Sequence, residues 1–299
     1  MPKLTPFYEN VQSHYDLSDD FFDLFLDPTR TYSCAFFETD DMSLEDAQKA
    51  KIDLSLGKCD LRPGMTLLDI GCGWGSTMRR AIERYDVNVI GLTLSRNQYE
   101  HVSEMISGLA LGRRSAEVRL QGWEDFDEPV DRIVSIGAFE HFRRRRYDAF
   151  FERTSRILPP DGRMLLHTIV GHSRQLLEDM DVEVNRDDAL FLRFILREIF
   201  PGGQLPERDM IITGAQRHGY WVQNIESLQP HYAHTLDLWA RALEARHEEA
   251  VELASEEVYQ RYMRYLTGCA ENFRRGLIDL QQFTLVKHNR SRAGSHRAS

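Results

Sequence analysis

The chain has 299 residues, 42% of them hydrophobic and 28% charged; that is enough for one large domain or two small ones with a sizeable core, and it excludes a disordered, tail-like protein. Its 37 basic and 47 acidic residues leave a formal net charge of −10, a poor bulk counterion for nucleic acid. No apolar run approaches the roughly 20 residues that span a bilayer, the start (MPKLT) lacks signal-peptide features, and Cys34, Cys59, Cys72 and Cys269 form no C-x-x-C pair, so the expectation is a cytoplasmic protein with neither a zinc ribbon nor a disulfide scaffold.

Along the chain, residues 15–26 (YDLSDDFFDLFL) gather aromatics on one helical face, suited to closing a cavity. Residues 65–71 (MTLLDIG) read as a first strand, 76–85 as a helix, 87–93 (VNVIGLT) as a second buried strand and 96–107 as a helix. Residues 116–121 and 132–136 read as third and fourth strands, 146–157 as a helix and 163–169 (RMLLHTI) as a fifth strand. Apolar runs of about five to seven residues separated by helices indicate a mostly parallel sheet covered on both faces, the doubly wound α/β architecture. After residue 169 the rhythm breaks. Within 170–206, FLRFILREIF (191–200) looks helical; 207–218 and 220–226 suggest a helix and a strand, 233–253 and 255–276 two helices, and 281–287 (QQFTLVK) a last strand. Helices inserted between late strands build a lid or substrate wall. The expected organisation is one domain over 1–287: an N-terminal lid (1–60), a cofactor-binding core (61–169), substrate-covering insertions within 170–276 and the final strand. Residues 288–299 form a polar tail, frayed or left over from expression.

Asp69-Ile-Gly71-Cys-Gly73-Trp-Gly75 follows the first strand and opens a helix. Glycines there let the backbone turn tightly and approach a ligand. A dinucleotide loop is spaced G-x-G-x-x-G and wants an acid ending the second strand; here the spacing is G-x-G-x-G and that strand ends in Thr93. No Gly-Lys-Ser/Thr follows, so it is not a P-loop. An acid just before the first glycine suits a cationic nucleoside, and S-adenosylmethionine, with its ammonium and sulfonium, fits.

LLDIGCGWG, GLTLSRNQ, LQGWEDF, SIGAFEHF and LLHTI together resemble the cyclopropane fatty acid synthase family, most closely its mycolic acid methyltransferase branch. The resemblance runs from about residue 8 to 287. It includes Ser13-His-Tyr-Asp16, Thr31-Tyr-Ser-Cys34, EIFPGG (198–203) and YMRYLTGC (262–269). It implies a Rossmann-like S-adenosylmethionine-dependent methyltransferase fold with N-terminal helices and inserted lid helices. For the cofactor it implies Tyr32 and Ser33 at the methionine end, and the glycine loop with its flanks: Leu68, Asp69, Ile70, Gly71, Cys72, Gly73, Trp74, Gly75 and Ser76. Thr93, Leu94, Ser95, Arg96, Asn97 and Gln98 reach toward the ribose, with Gln98 standing in for the missing strand-end acid. Trp123 and Glu124 bracket the adenine, and Ile136 lies beside the methyl.

Methylating an alkene with a sulfonium leaves a carbocation, and closing a cyclopropane needs a shielded base for the proton that leaves the added methyl. The resemblance implies a bound bicarbonate as that base, held by the side chains of Glu140, His167 and Tyr232 and the backbone of Cys34 and Ile169. Cys269 matches a residue sometimes assigned as an active-site cysteine. The reaction needs no covalent enzyme intermediate, so a pocket-wall thiol is the expectation. No metal site is expected, since His231 and His234 have no further ligand pattern around them.

Phe142, Phe200, Leu205, Leu236, Tyr265 and Phe273 are candidate walls of a lipid tunnel. The basic run Arg143-Arg-Arg-Arg146 is a candidate dock for an acidic acyl carrier protein delivering a long-chain unsaturated acyl lipid. The methyl-and-hydroxyl-adding members carry a glutamate where this chain has Gly137, so ring closure is favoured over a methyl-branched or hydroxylated product. A small-molecule methyltransferase and a non-catalytic lipid carrier stay open as alternatives. A nucleic-acid methyltransferase is disfavoured, because neither a broad basic face nor an Asn-Pro-Pro-Tyr motif is present.

Overall fold

The computed structural model describes residues 4–6 and 19–287. The Ser13–Asp16 match, the start of the 15–26 segment and the 288–299 tail lie outside them. The sheet has seven strands: β1 Thr66–Ile70, β2 Asn88–Thr93, β3 Ala116–Leu120, β4 Arg132–Ile136, β5 Arg163–Gly171, β6 Tyr220–Ser227 and β7 Ile278–Lys287. Their spatial order is β3-β2-β1-β4-β5-β7-β6. The first five run parallel, while β7 inserts antiparallel between β5 and β6. The order reverses between β1 and β4, and the crevice at the carboxyl ends of those strands is where doubly wound folds take ligands.

Strand alternation distributes the apolar residues to two cores. Leu68, Ile133 and Leu166 enter one, with Phe139, Phe150 and Phe151; Leu67, Val134 and Leu165 enter the other, with Ala81 and Val102. Helices Ser76–Tyr85 and Arg96–Ser107 follow β1 and β2, and Tyr147–Ile157 follows β4. Ser95 caps the second of these by accepting from the Gln98 amide at 3.3 Å, as a helix start requires.

A third core lies over the sheet's end. The helices Gln229–Ala245 and Glu256–Arg274 pack Leu236, Trp239, Tyr262 and Phe273 against Phe21, Phe22 and Phe25 of the N-terminal segment. Of that segment, Asp19–Phe22 is helical. The expected helix over 233–253 is broken at Arg246 into Gln229–Ala245 and His247–Leu253. The 191–200 helix starts earlier, at Arg186, where Asn185 and Asp188 form a capping box, and turns into a π-helix over Ile195–Ile199.

The helix Leu44–Gly57 has no counterpart in the sequence reading. Its buried face includes Gln48, Lys51 and Ser55 beside Ala47, Ile52 and Leu56, so no apolar stripe announces it. These polar groups are bonded: Gln48 donates to the carbonyls of Thr31 (3.0 Å) and Ser33 (2.7 Å), and Lys51 donates to Ser33 Oγ (2.8 Å). They hold the segment around Tyr32 against the end of the sheet. No helix among the described residues is long and apolar enough to cross a membrane.

Candidate active site

After β1 the chain turns through Gly71, Gly73 and Gly75, all at positive φ (83°, 55° and 85°). A Cβ on Gly71 would lie 2.5 Å from Ala138 Cβ, and one on Gly75 would lie 2.9 Å from Met105. At Gly73 nothing stands within 4 Å of that position. Two of these glycines permit close packing, and the third opens the backbone onto a cavity.

That cavity is lined by Tyr32, Ser33, Asp69, Ile70, Gly71, Cys72, Gly73, Trp74, Ser76, Thr93, Leu94, Gln98, Trp123, Glu124 and Ile136. Leu68, Gly75, Ser95, Arg96 and Asn97 are not on its wall. Leu68 is core, Gly75 packs on the next helix, Ser95 is a cap and Asn97 donates to Asp19 Oδ1 at 2.6 Å. Gln98 is buried, its Oε1 accepting from the Thr93 hydroxyl at 2.8 Å. Arg30, Thr31, Lys51, Gly122, Ala138 and His141 also line the cavity. Lys51 comes from the Leu44–Gly57 helix and Arg30 from the loop before it, neither marked by a motif, whereas Thr31, Gly122, Ala138 and His141 stand inside the motifs that carry the resemblance without a role assigned to them.

The cavity's buried polar groups suit a cationic nucleoside. Asp69 Oδ2 and Glu124 Oε2 are buried with no hydrogen-bond partner among the described residues. Burial pushes the Asp69 carboxyl up to about 7 against the pull of Lys51, so a nearby positive ligand would restore its charge. Glu124 Oε1 is held by Arg146 Nη1 at 2.6 Å, and the same nitrogen donates to the Thr5 carbonyl at 2.8 Å. This leaves Oε2 for an amino group, with the Trp123 indole alongside.

A second cavity is lined by Glu140, His167, Ile169, Tyr232 and Cys269, with Phe200, Leu205, Leu236, Tyr265 and Phe273 among its walls. Phe142, expected with these walls, instead lines the first cavity, where its ring lies 5.6 Å from that of Trp123. Tyr32, Ser33, Gly137 and His141 line both cavities and form the neck between them. Gly137 has φ 66°.

Glu140 lies on a short 3-10 turn (Phe139–His141) just beyond β4. Its Oε1 accepts from the Ile169 amide at 2.6 Å, and its Oε2 is buried without a partner among the described residues. Burial outweighs that hydrogen bond and pushes the carboxyl up to about 7. His167, wholly buried on β5, has Nδ1 3.1 Å from Gln282 Nε2, and its Nε2 is likewise unpartnered. Burial, then the charges of Lys51 and Lys58, push the imidazole well below its usual range, so it is neutral. Tyr232 packs on Phe273, ring centroids 4.7 Å apart; its phenol is pushed up by burial, then by Cys34, Tyr32, Glu140 and Cys269. Burial pushes the Cys269 thiol up to about 12, a poor nucleophile set in the wall. Cys34 is wholly buried and its Sγ faces the carbonyls of Ala35 and Leu228; it is not among the lining residues.

His231 and His234 are accounted for by packing. The first accepts from the Phe37 amide at 3.2 Å and the second lies edge-on to Phe37. Among the described residues no group of three or more His, Cys, Asp or Glu could hold a metal ion. The basic run is divided. Arg146 is buried on Glu124, and Arg144 donates to the Leu205 carbonyl at 2.8 Å while pairing with Glu207 at 3.5 Å. Only Arg144 and Arg145 of the four are exposed.

The mycolic acid cyclopropane synthetase family matches residues 2–283. Cyclopropane mycolic acid synthase 1 of Mycobacterium tuberculosis is 61% identical over 285 residues, covering 95% of this chain and 99% of that protein. The solved structure of the cyclopropane synthase MmaA2 from Mycobacterium tuberculosis superposes with a TM-score of 0.94 at 61% identity, covering 95% of this chain and 99% of that one. The crystal structure of mycolic acid cyclopropane synthase CmaA1 complexed with SAH and CTAB gives 0.92 at 61% identity, with the same coverage of each chain.

Proposed function

Because the chain belongs to the mycolic acid cyclopropane synthetase family, we propose that it transfers the methyl group of S-adenosylmethionine to a double bond of a long-chain, mycolic-type acyl lipid and closes a cyclopropane ring. The enzyme is an S-adenosylmethionine-dependent transferase. The observation that carries the reading is the neck: a cavity with a glycine cradle and carboxylate oxygens unpartnered among the described residues meets an apolar cavity at Tyr32, Ser33, Gly137 and His141. A methyl presented there faces a greasy chain.

S-Adenosylmethionine bound in the first cavity would supply an electrophilic methyl. Asp69 would balance its positive charge, Glu124 and Trp123 would receive the adenine, and the bare backbone at Gly73 would let the nucleoside approach. In the second cavity the alkene's π pair would form the new carbon–carbon bond as the methyl–sulfur bond breaks and S-adenosylhomocysteine leaves with that pair, and the other alkene carbon would become cationic. The aromatic walls of Phe200, Tyr265 and Phe273 exclude water and face the cation with their π systems. A proton then leaves the added methyl, and that C–H pair closes the third side of the ring.

The groups able to organise a base there are Glu140, His167 and Tyr232. Two of them present buried polar atoms without partners among the described residues, a set that suits a small oxyanion. Bound among them, bicarbonate would supply the base. The Ile169 amide acts through Glu140, which it holds in place. Gly137 adds no side chain of its own to the neck, which favours ring closure over hydroxylation. The lipid would arrive on an acyl carrier protein at Arg144 and Arg145, and the enzyme would work in the cytoplasm. The 1–287 chain would act as one domain, with 1–60 and the insertions within 170–276 covering the 61–169 core.

The test is incubation with labelled S-adenosylmethionine and a panel of unsaturated acyl substrates, read by mass spectrometry and NMR. A gain of one methylene with loss of the vinyl protons is the expected product. A gain of a methyl and a hydroxyl, or labelling of a small molecule alone, would overturn ring closure.

A further inference from the structure

His167 and Gln282 are partners in the antiparallel β5–β7 register, and both are wholly buried. Three hydrogen bonds fix what Gln282 can offer. Lys58 Nζ, which can only donate, lies 2.5 Å from Gln282 Oε1 and is itself paired with Glu226. The amide nitrogen is therefore the group 3.1 Å from Ser55 Oγ and 3.1 Å from His167 Nδ1. Ser55 has one proton and gives it to the Lys51 carbonyl at 2.7 Å, so toward Gln282 it accepts. Each N–H of the amide thus has one acceptor, and one of these acceptors is His167 Nδ1.

We propose that Gln282, oriented by Lys58 and Ser55, locks His167 in the Nε2–H tautomer, making His167 a hydrogen-bond donor to the acyl cavity and not its base. A neutral imidazole carries one proton, and with Nδ1 accepting, that proton sits on Nε2. Nε2 is the buried atom that has no partner among the described residues, on a side chain that lines the cavity. Whatever meets it must present an acceptor, as an oxyanion does. The proton leaving the added methyl then has to go to that acceptor or to Glu140. Gln282, Ser55 and Lys58 are positioning residues: none of them lines the cavity, and each acts through His167. This inference rests on the reading of the site given above and deepens it.

The experiment uses the full chain labelled with ¹⁵N-histidine, with His167 assigned by its loss in His167→Gln. Long-range ¹H–¹⁵N spectra are recorded without donor or lipid. The wild-type protein should show a bare Nδ1 and a protonated Nε2. In Gln282→Glu the carboxylate can only accept, so the proton should move to Nδ1; turnover should fall on the order of 10²-fold while SAH affinity stays unchanged. Lys58→Met releases the amide and should give a mixture of tautomers. A protonated Nδ1 in the wild-type protein overturns the proposal by itself, even if no variant folds; so does a bare Nδ1 in folded Gln282→Glu. Failure of the wild-type protein to convert any unsaturated acyl substrate, with the expected tautomer in place, would sink the proposed function and leave the tautomer lock standing.

Discussion

One wall of the cofactor cavity is a backbone feature: the turn through Gly71, Gly73 and Gly75 sits within one stretch of sequence, and Gly73 has open space where a side chain would be. The acyl cavity's polar end is built from side chains on separate elements. Glu140 follows β4, His167 is on β5, and Tyr232 is on the Gln229–Ala245 helix. Their support comes from Gln282 on β7 and from Ser55 and Lys58 at the end of the Leu44–Gly57 helix. A backbone site constrains neighbouring residues and leaves a motif, whereas a side-chain site constrains residues that only the fold brings together.

The difference predicts where substitutions are felt. Glu140→Gln should have the largest effect. The amide oxygen can still accept from the Ile169 amide, so the fold is kept, but the group can no longer take or hold a proton as a carboxylate does. Turnover should fall by about 10²–10⁴-fold, the scale of a lost acid–base group, with SAH binding by calorimetry unchanged. A variant that keeps wild-type turnover would remove Glu140 from the chemistry.

The same contrast explains how much was legible in advance. Strands β1, β2 and β4 and the helices after them read clearly because their apolar periods are unbroken and Ser95 and the glycines punctuate them. The Leu44–Gly57 helix did not, because part of the face it buries is polar. Gln282 was read only as part of a strand; its role depends on register with His167, which no local pattern encodes. Glu140, His167 and Tyr232 are gathered by resemblance: alone, Glu140 reads equally as a cap or ion pair at a helix start, His167 more readily as a core histidine, and Tyr232 is uninformative. The reading of Arg143–Arg146 as one basic patch failed because Arg146 serves a buried carboxylate 22 positions away.

Within the glycine turn, two alanine substitutions should separate packing from binding. Gly71→Ala places a methyl against Ala138 in a left-handed backbone, and should cost about 2–4 kcal/mol from strain and overpacking. Gly73→Ala meets no atom within 4 Å, so its stability loss should be about 1–2 kcal/mol; its loss should appear in affinity for SAH. Thermal unfolding and calorimetry on both variants check this. Unchanged SAH affinity in Gly73→Ala would mean that Gly73 does not face the nucleoside.

The two cavities should also titrate separately. Burial holds the Asp69 and Glu140 carboxyls up near 7, so each is protonated below that pH and charged above it. Donor affinity should therefore fall as pH drops through about 7, by roughly tenfold per pH unit, because a cationic donor binds the charged Asp69. Asp69→Asn should flatten that dependence. The rate at saturating donor should fall over the same range through Glu140 and keep its slope in Asp69→Asn.

The smallest effect is expected at the rim. Arg144 is partly committed to Leu205 and Glu207, leaving Arg145 as the exposed arginine of the run best placed to meet an acidic carrier. Exposed charge pairs contribute only about 0.2–1 kcal/mol each, and rim charges act chiefly on association rate. Arg145→Glu should therefore lower kcat/KM for carrier-linked substrate only a few-fold. The deficit should shrink as salt is raised, since screening weakens what the substitution reverses. Turnover of a soluble acyl substrate without carrier should not change, because nothing in either cavity depends on Arg145. An equal loss with both substrates would place the effect inside the site, through the neighbouring Arg146–Glu124 pair, and would remove the rim from carrier docking.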